Sequence, residues 1–97
     1  MVVVLQSKNG AIDTGKITKV TTNKEGGIYA TCDNNARETL GSYRNLETAK
    51  FALGMYAEAL ASGDRIFYFP KDEDVRQRMV VRRNEVTHTE ANSHGGS

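Results

Sequence analysis

One long amphipathic segment constrains this chain most. From Asn45 to Gly63, NLETAKFALGMYAEALASG reads as a single helix with a marked start and stop. The Asn45 side chain can accept a hydrogen bond from a free backbone N–H of the first turn. Glu47 puts a negative charge in that turn, where the helix dipole favours it. Gly63 can take the left-handed conformation that ends a helix. Between these signals Leu46, Ala49, Leu53, Tyr56 and Leu60 fill a stripe roughly 80° wide at about 100° per residue. That stripe is expected to lie on a sheet. Phe51 and Met55 fall on nearly the opposite side, with Ala52 and Ala59 beside them. An apolar patch turned away from the sheet marks an association surface. These four residues are therefore expected to join copies of the chain into a dimer or larger homo-oligomer; the alternative is a cover supplied by a loop or the C-terminal segment of the same chain. Gly54 costs about 1 kcal/mol of helix propensity relative to Ala and belongs to neither stripe.

The sheet is legible upstream. Val2 to Leu5 is a short β-branched run. "SKNGAIDTG" (7–15) breaks it, with Asn9-Gly10 as the turn signal, because both residues tolerate positive φ. "KITKVTT" (16–22), "IYATCD" (28–33) and "ARETLGSY" (36–43) read as further strands, separated by turns at "NKEGG" (23–27) and Asn34-Asn35. Connections this short favour an antiparallel meander, because parallel neighbours need long crossovers. Ile28, Ala30 and Cys32 share one face of their strand and are expected to face the core. After the helix, "RIFYFP" (65–70) is a strand ended by Pro70 and apolar on both faces, as if one face met a partner. In "VRQRMVVRR" (75–83) helix and strand patterns compete; acidic residues before it and basic residues after it favour a helix. The expected architecture is α+β: an antiparallel sheet of four or five strands, one main helix on one face, and a short C-terminal helix or strand. Residues 1–83 form one domain, and 84–97 a polar, disordered tail.

From Leu40 to Pro70 the chain resembles short uncharacterised proteins of Firmicute bacteria and their phages. The resemblance rests on Leu40, Gly41 and Tyr43, on Ala49, Leu53 and Ala57 in the helix, on Gly63 after it, and on Phe67, Tyr68 and Pro70 in the aromatic strand. Phe69 stands where those proteins usually carry methionine. The resemblance implies a sheet-plus-helix fold and a mobile-element setting, and it implies no activity. The arginine-rich segment after Pro70 departs from it.

Charge and composition narrow the function classes. The formal net charge is +1 over 97 residues, far from the strongly basic balance of most nucleic-acid-binding domains. The longest apolar run is Val2-Val3-Val4-Leu5, much too short for a membrane span. A single cysteine, Cys32, cannot make an internal disulfide, and a cytoplasmic location is expected. His88 and His94 lie in the tail, where neither can be held against a substrate, so no catalytic residue, metal site or cofactor is assigned.

The arginines are the strongest chemical signal. Arg76, Arg78, Arg82 and Arg83 supply four of the 13 basic residues within eight positions. Guanidinium groups bind phosphates and carboxylates in a bidentate way. With Tyr68 or Tyr43 as a stacking surface, they are expected to hold an anionic, nucleotide-like small molecule. The opposing reading pairs them with Asp72, Glu73 and Asp74 as a solvated charged face. The expected function is a non-enzymatic binding protein of phage or mobile-element origin. It would act in counter-defence, by sequestering such a ligand or by blocking a host factor. The alternatives are nucleic-acid binding through the same arginines, and a structural or assembly role.

Overall fold

The computed structural model describes the backbone of residues 1–95 and the side chains of residues 1–83. In chain order it comprises β1 (Val2–Val4), β2 (Ala11–Asp13), a 3-10 turn (Thr14–Lys16), β3 (Ile17–Thr22), β4 (Gly27–Cys32), β5 (Arg37–Ser42), α1 (Leu46–Ala61), β6 (Ile66–Tyr68) and α2 (Asp72–Gly95). The fold is α+β, as expected. The single antiparallel sheet is not what forms. The strands divide into two sheets of three, ordered β2-β1-β6 and β3-β4-β5.

The division has a local cause. The chain after β1 turns back at once as β2, pairing Val3 with Ile12, instead of running on into the meander. The Asp13 side chain then accepts the Gly15 N–H at 2.9 Å and fixes the 3-10 turn that separates β2 from β3. Freed from the meander, β1 pairs in parallel with β6, Val3 opposite Phe67. The chain between them, through the second sheet and α1, is the long crossover a parallel pair requires. The second sheet is the expected antiparallel meander, with register shifts between Ile17 and Lys19 and between Ile28 and Tyr29.

Turn chemistry follows the sequence with one exchange. At the first turn Lys8, not Asn9 or Gly10, takes the positive φ of 62°. In "NKEGG" the residue whose backbone conformation calls for glycine is Gly26, at φ 95°. A Cβ there would run into the Tyr43 and Asn45 carbonyl oxygens, so this turn is pressed against the β5–α1 junction.

Helix α1 begins and ends as its caps dictate. The Asn45 side-chain oxygen accepts both the backbone N–H and the hydroxyl of Thr48, each at 2.8 Å. At the other end Gly63, at φ 73°, donates to the Leu60 carbonyl, and Asp64 donates to that of Ala59. This pair of bonds is a Schellman cap. The buried band of α1 is Thr48, Ala49, Ala52, Tyr56 and Ala59. It lies about 70° round the helix from the expected stripe. Leu60 is 44% exposed, and Leu53 is half-buried. The rotation has a physical reason: α1 packs against β3 and β4 and also against α2. Its deepest line therefore falls between the two supports, and small residues there let both come close. Ala52 and Ala59, expected at a contact between copies, are buried in the chain's own core instead.

Val3, Ile28, Leu40 and Val75 are fully buried, and Tyr56, Phe67 and Phe69 form an aromatic trio with ring centroids 5.0 to 5.7 Å apart. Such pairs contribute about 0.5–1.5 kcal/mol each beyond the area they bury. Cys32, expected in the core with Ile28 and Ala30, shares their side of β4 but is only half-buried at the strand's end. The segment 75–83 is helical, and α2 starts three residues before it. Helix α2 is not short: it runs on through Gly95, over most of the segment expected as a disordered tail, while residues 96–97 and the side chains of His88 and His94 lie outside the described residues. Among the described residues no helix is long and apolar enough to cross a membrane.

Candidate binding groove

The two sheets meet at Gln6, whose backbone N–H donates to the Leu40 carbonyl of β5 at 2.8 Å. Gln6 follows β1, and its amide acts as an extra strand residue beside β5. Its Oε1 accepts the Ser42 N–H at 2.9 Å, and its Nε2 donates to the Ser42 carbonyl at 3.1 Å. The same Nε2 donates to the Pro70 carbonyl at 3.0 Å, just after β6. The Tyr43 hydroxyl donates to that carbonyl too, at 2.7 Å. Tyr43 is 4% exposed, so it is not the stacking surface expected from sequence. Burial pushes its hydroxyl far above its ordinary pKa, the Gln6 hydrogen bond opposes this, and the Asp72 charge adds to it. Tyr43 is thus a fixed donor that anchors the turn from β6 into α2.

The next anchor is Asp72. Its Oδ1 accepts the Arg44 backbone N–H at 2.9 Å, and its Oδ2 accepts from Arg76 Nε at 2.7 Å. Arg44 Nε stands 3.8 Å from Oδ2. Desolvation would raise this carboxyl, but the Arg44 N–H and the Arg76 guanidinium outweigh it and hold it below the usual carboxylate range. Arg76 is therefore committed to the junction between β5, α1 and α2, which corrects its expected role as a ligand group.

These anchors set α2 beside α1 and leave an open groove between α1, β6 and α2. Lys50, Phe51, Gly54, Met55 and Glu58 line it from α1. Ile66, Phe67 and Tyr68 line it from β6, and Asp74, Gln77, Arg78, Val81 and Arg82 from α2. Of the four arginines, only Arg78 and Arg82 reach it. They are one turn apart, while Arg76 and Arg83 point to the other side of α2, about 160° from Arg78 in the case of Arg76. Among the described residues neither Arg78 nor Arg82 is in an ion pair. Tyr68, 58% exposed, lines the same groove. Phe51 and Met55 are half-buried, and their free surface faces the groove.

Sequence reasoning missed Gly54, Ile66 and Val81. Gly54 had a signal, a glycine in mid-helix with no packing reason. A Cβ built there meets nothing within 4 Å, so the glycine leaves open space in the groove. Val81 had none, because its helical position is only readable once α2 is placed.

The groove has an apolar floor and a charged lining in which Lys50, Arg78 and Arg82 outnumber Glu58 and Asp74, a combination that fits an amphipathic, anionic partner. Among the described residues no cluster of His, Cys, Asp or Glu is arranged to hold a metal. No family model, no curated protein and no solved structure matches this chain.

Proposed function

We propose that this is a non-enzymatic binding protein that captures an anionic partner in the groove between α1, β6 and α2. One observation carries the reading: Arg78 and Arg82 stand one turn apart on the wall of a groove also lined by Phe51 and Met55. Guanidinium groups next to an apolar surface bind anions more strongly than in open water, because the local dielectric is lower. The resemblance to phage and mobile-element proteins supplies the setting. In that setting the capture serves counter-defence, by sequestering a nucleotide-like signal or by blocking a host factor. Nucleic-acid binding is the weaker reading, because Glu58 and Asp74 share the groove and Arg76 is held by Asp72.

The test is charge reversal with a control outside the groove. Nucleoside polyphosphates and acidic peptides are titrated against the wild type, the Arg78→Glu/Arg82→Glu variant, and Arg83→Glu, which changes charge outside the groove. The expected result is a loss of affinity of about tenfold or more in the double variant, with Arg83→Glu close to wild type. No binding by any anion, or equal loss in both variants, would refute the reading.

A further inference from the structure

Strand β6 is an edge strand, and the groove runs along it. The phase of its ladder is fixed by two bonds. The Val2 N–H donates to the Arg65 carbonyl at 2.9 Å, and the Phe69 N–H donates to the Val4 carbonyl at 3.1 Å. In a parallel pair, alternate residues turn their backbone groups to the partner strand. Arg65, Phe67 and Phe69 therefore face β1, and Ile66 and Tyr68 turn their N–H and C=O groups outward. Among the described residues nothing pairs with those four groups.

Sheet edges are usually blunted by charge, bulges or proline. The other edges here follow that habit: β3 carries Lys19 at a register shift, β5 carries Arg37 and Glu38, and β2 ends in Asp13. The edge of β6 is short, three residues between Arg65 and the Phe69-Pro70 end, but the strand itself carries no charge. It presents Ile66 and Tyr68, 45% and 58% exposed, and opens onto the apolar surface of Phe51 and Met55. Arg78 and Arg82 stand on the opposite wall, and the space left by Gly54 can accept a side chain.

We propose that β6 is a strand-addition site for an extended peptide segment of a partner protein, with apolar residues at alternate positions and at least one Asp or Glu. Backbone bonds to Ile66 and Tyr68 supply a sequence-independent share of the affinity, and alternation selects the side chains. The acidic residue meets Arg78 and Arg82. The inference rests on the groove being the binding site, and it chooses the host-factor form of that reading over the nucleotide form.

The decisive variant is Tyr68→Pro. It removes an outward N–H that makes no bond to β1, so the fold tolerates it as edge strands tolerate proline. Tyr68→Ala is the companion, removing the ring and keeping the N–H. A display library of random octapeptides is panned on the wild-type protein. The selected sequences are then measured as labelled synthetic peptides, with the melting temperature of each variant checked in parallel. The expected consensus is alternating apolar residues with Asp or Glu. Binding should fall about tenfold or more in Tyr68→Pro and in Arg78→Glu/Arg82→Glu, and less in Tyr68→Ala. Loss in the arginine variant alone would leave an anion site and overturn strand addition. Loss in neither would overturn both readings. If Tyr68→Pro melts early, protection of the Ile66 and Tyr68 amides from hydrogen exchange on adding peptide to the wild type decides instead, and its absence overturns the proposal. A dimer that Tyr68→Pro abolishes, with no peptide consensus, would assign the edge to a second copy and overturn it as well.

Discussion

Gln6 is the residue on which the arrangement of the two sheets depends. It satisfies the Ser42 N–H and C=O together and reaches the Pro70 carbonyl besides. Gln6→Ala should cost about 2 kcal/mol, from lost bonds and partners left short. Gln6→Glu keeps the acceptor but sets a carboxylate against the Ser42 and Pro70 carbonyls, so it should be no milder. Chemical denaturation of both variants checks this. Gly26 is constrained differently, by its φ of 95° and by the carbonyls of Tyr43 and Asn45 where a Cβ would sit. Gly26→Ala should cost about 2–3 kcal/mol, the scale of a residue forced into sparsely populated backbone space. The same denaturation measurement reads it. Neither role was visible beforehand: no periodicity marks a glutamine that imitates a strand, and either glycine of Gly26-Gly27 suits a turn.

At the scale of elements, α1 offers a sharper prediction. Gly54 has open space where a side chain would go. Gly54→Ala should therefore stabilise the protein by up to about 1 kcal/mol, the helix-propensity difference, as a rise in melting temperature. The helix and its caps were legible because Asn45 and Gly63 act on their own turns. The rotation of its buried band was not, since it depends on two supports distant in sequence. The same contrast separates the strands. The meander from β3 to β5 could be read from its turns and alternation. The parallel pairing of β1 with β6 could not, because it joins Val3 to Phe67 across most of the chain. Helix α2 was legible as a helix from its charge order, while the split of its arginines into a paired Arg76 and groove-facing Arg78 and Arg82 awaited the placement of Asp72.

For the whole molecule, Asp72 links β5, α1 and α2 through charge. Its folded pKa is depressed by its partners, against the opposing effect of burial. Its contribution is therefore fully present above the unfolded value, about 3.9, and is lost as pH falls through the lower folded value. Asp72→Asn should destabilise the protein at neutral pH, and the gap to wild type should close under acid. Urea midpoints across pH 2 to about pH 7 would show this. A constant gap would mean that packing, not charge, accounts for the loss.

The same junction positions α2 over α1 and so forms the groove to which binding is assigned. Gly54→Trp tests that assignment most directly, because the new side chain would enter open space and fill the groove without removing any existing contact. The measurement is the affinity of a panned octapeptide for Gly54→Trp, compared with Gly54→Ala at matched melting temperature. The tryptophan variant should stay folded and lose binding by about a hundredfold, the scale of a blocked site, while the alanine variant binds far more nearly as wild type does. A folded Gly54→Trp protein that binds with undiminished affinity would contradict the assignment.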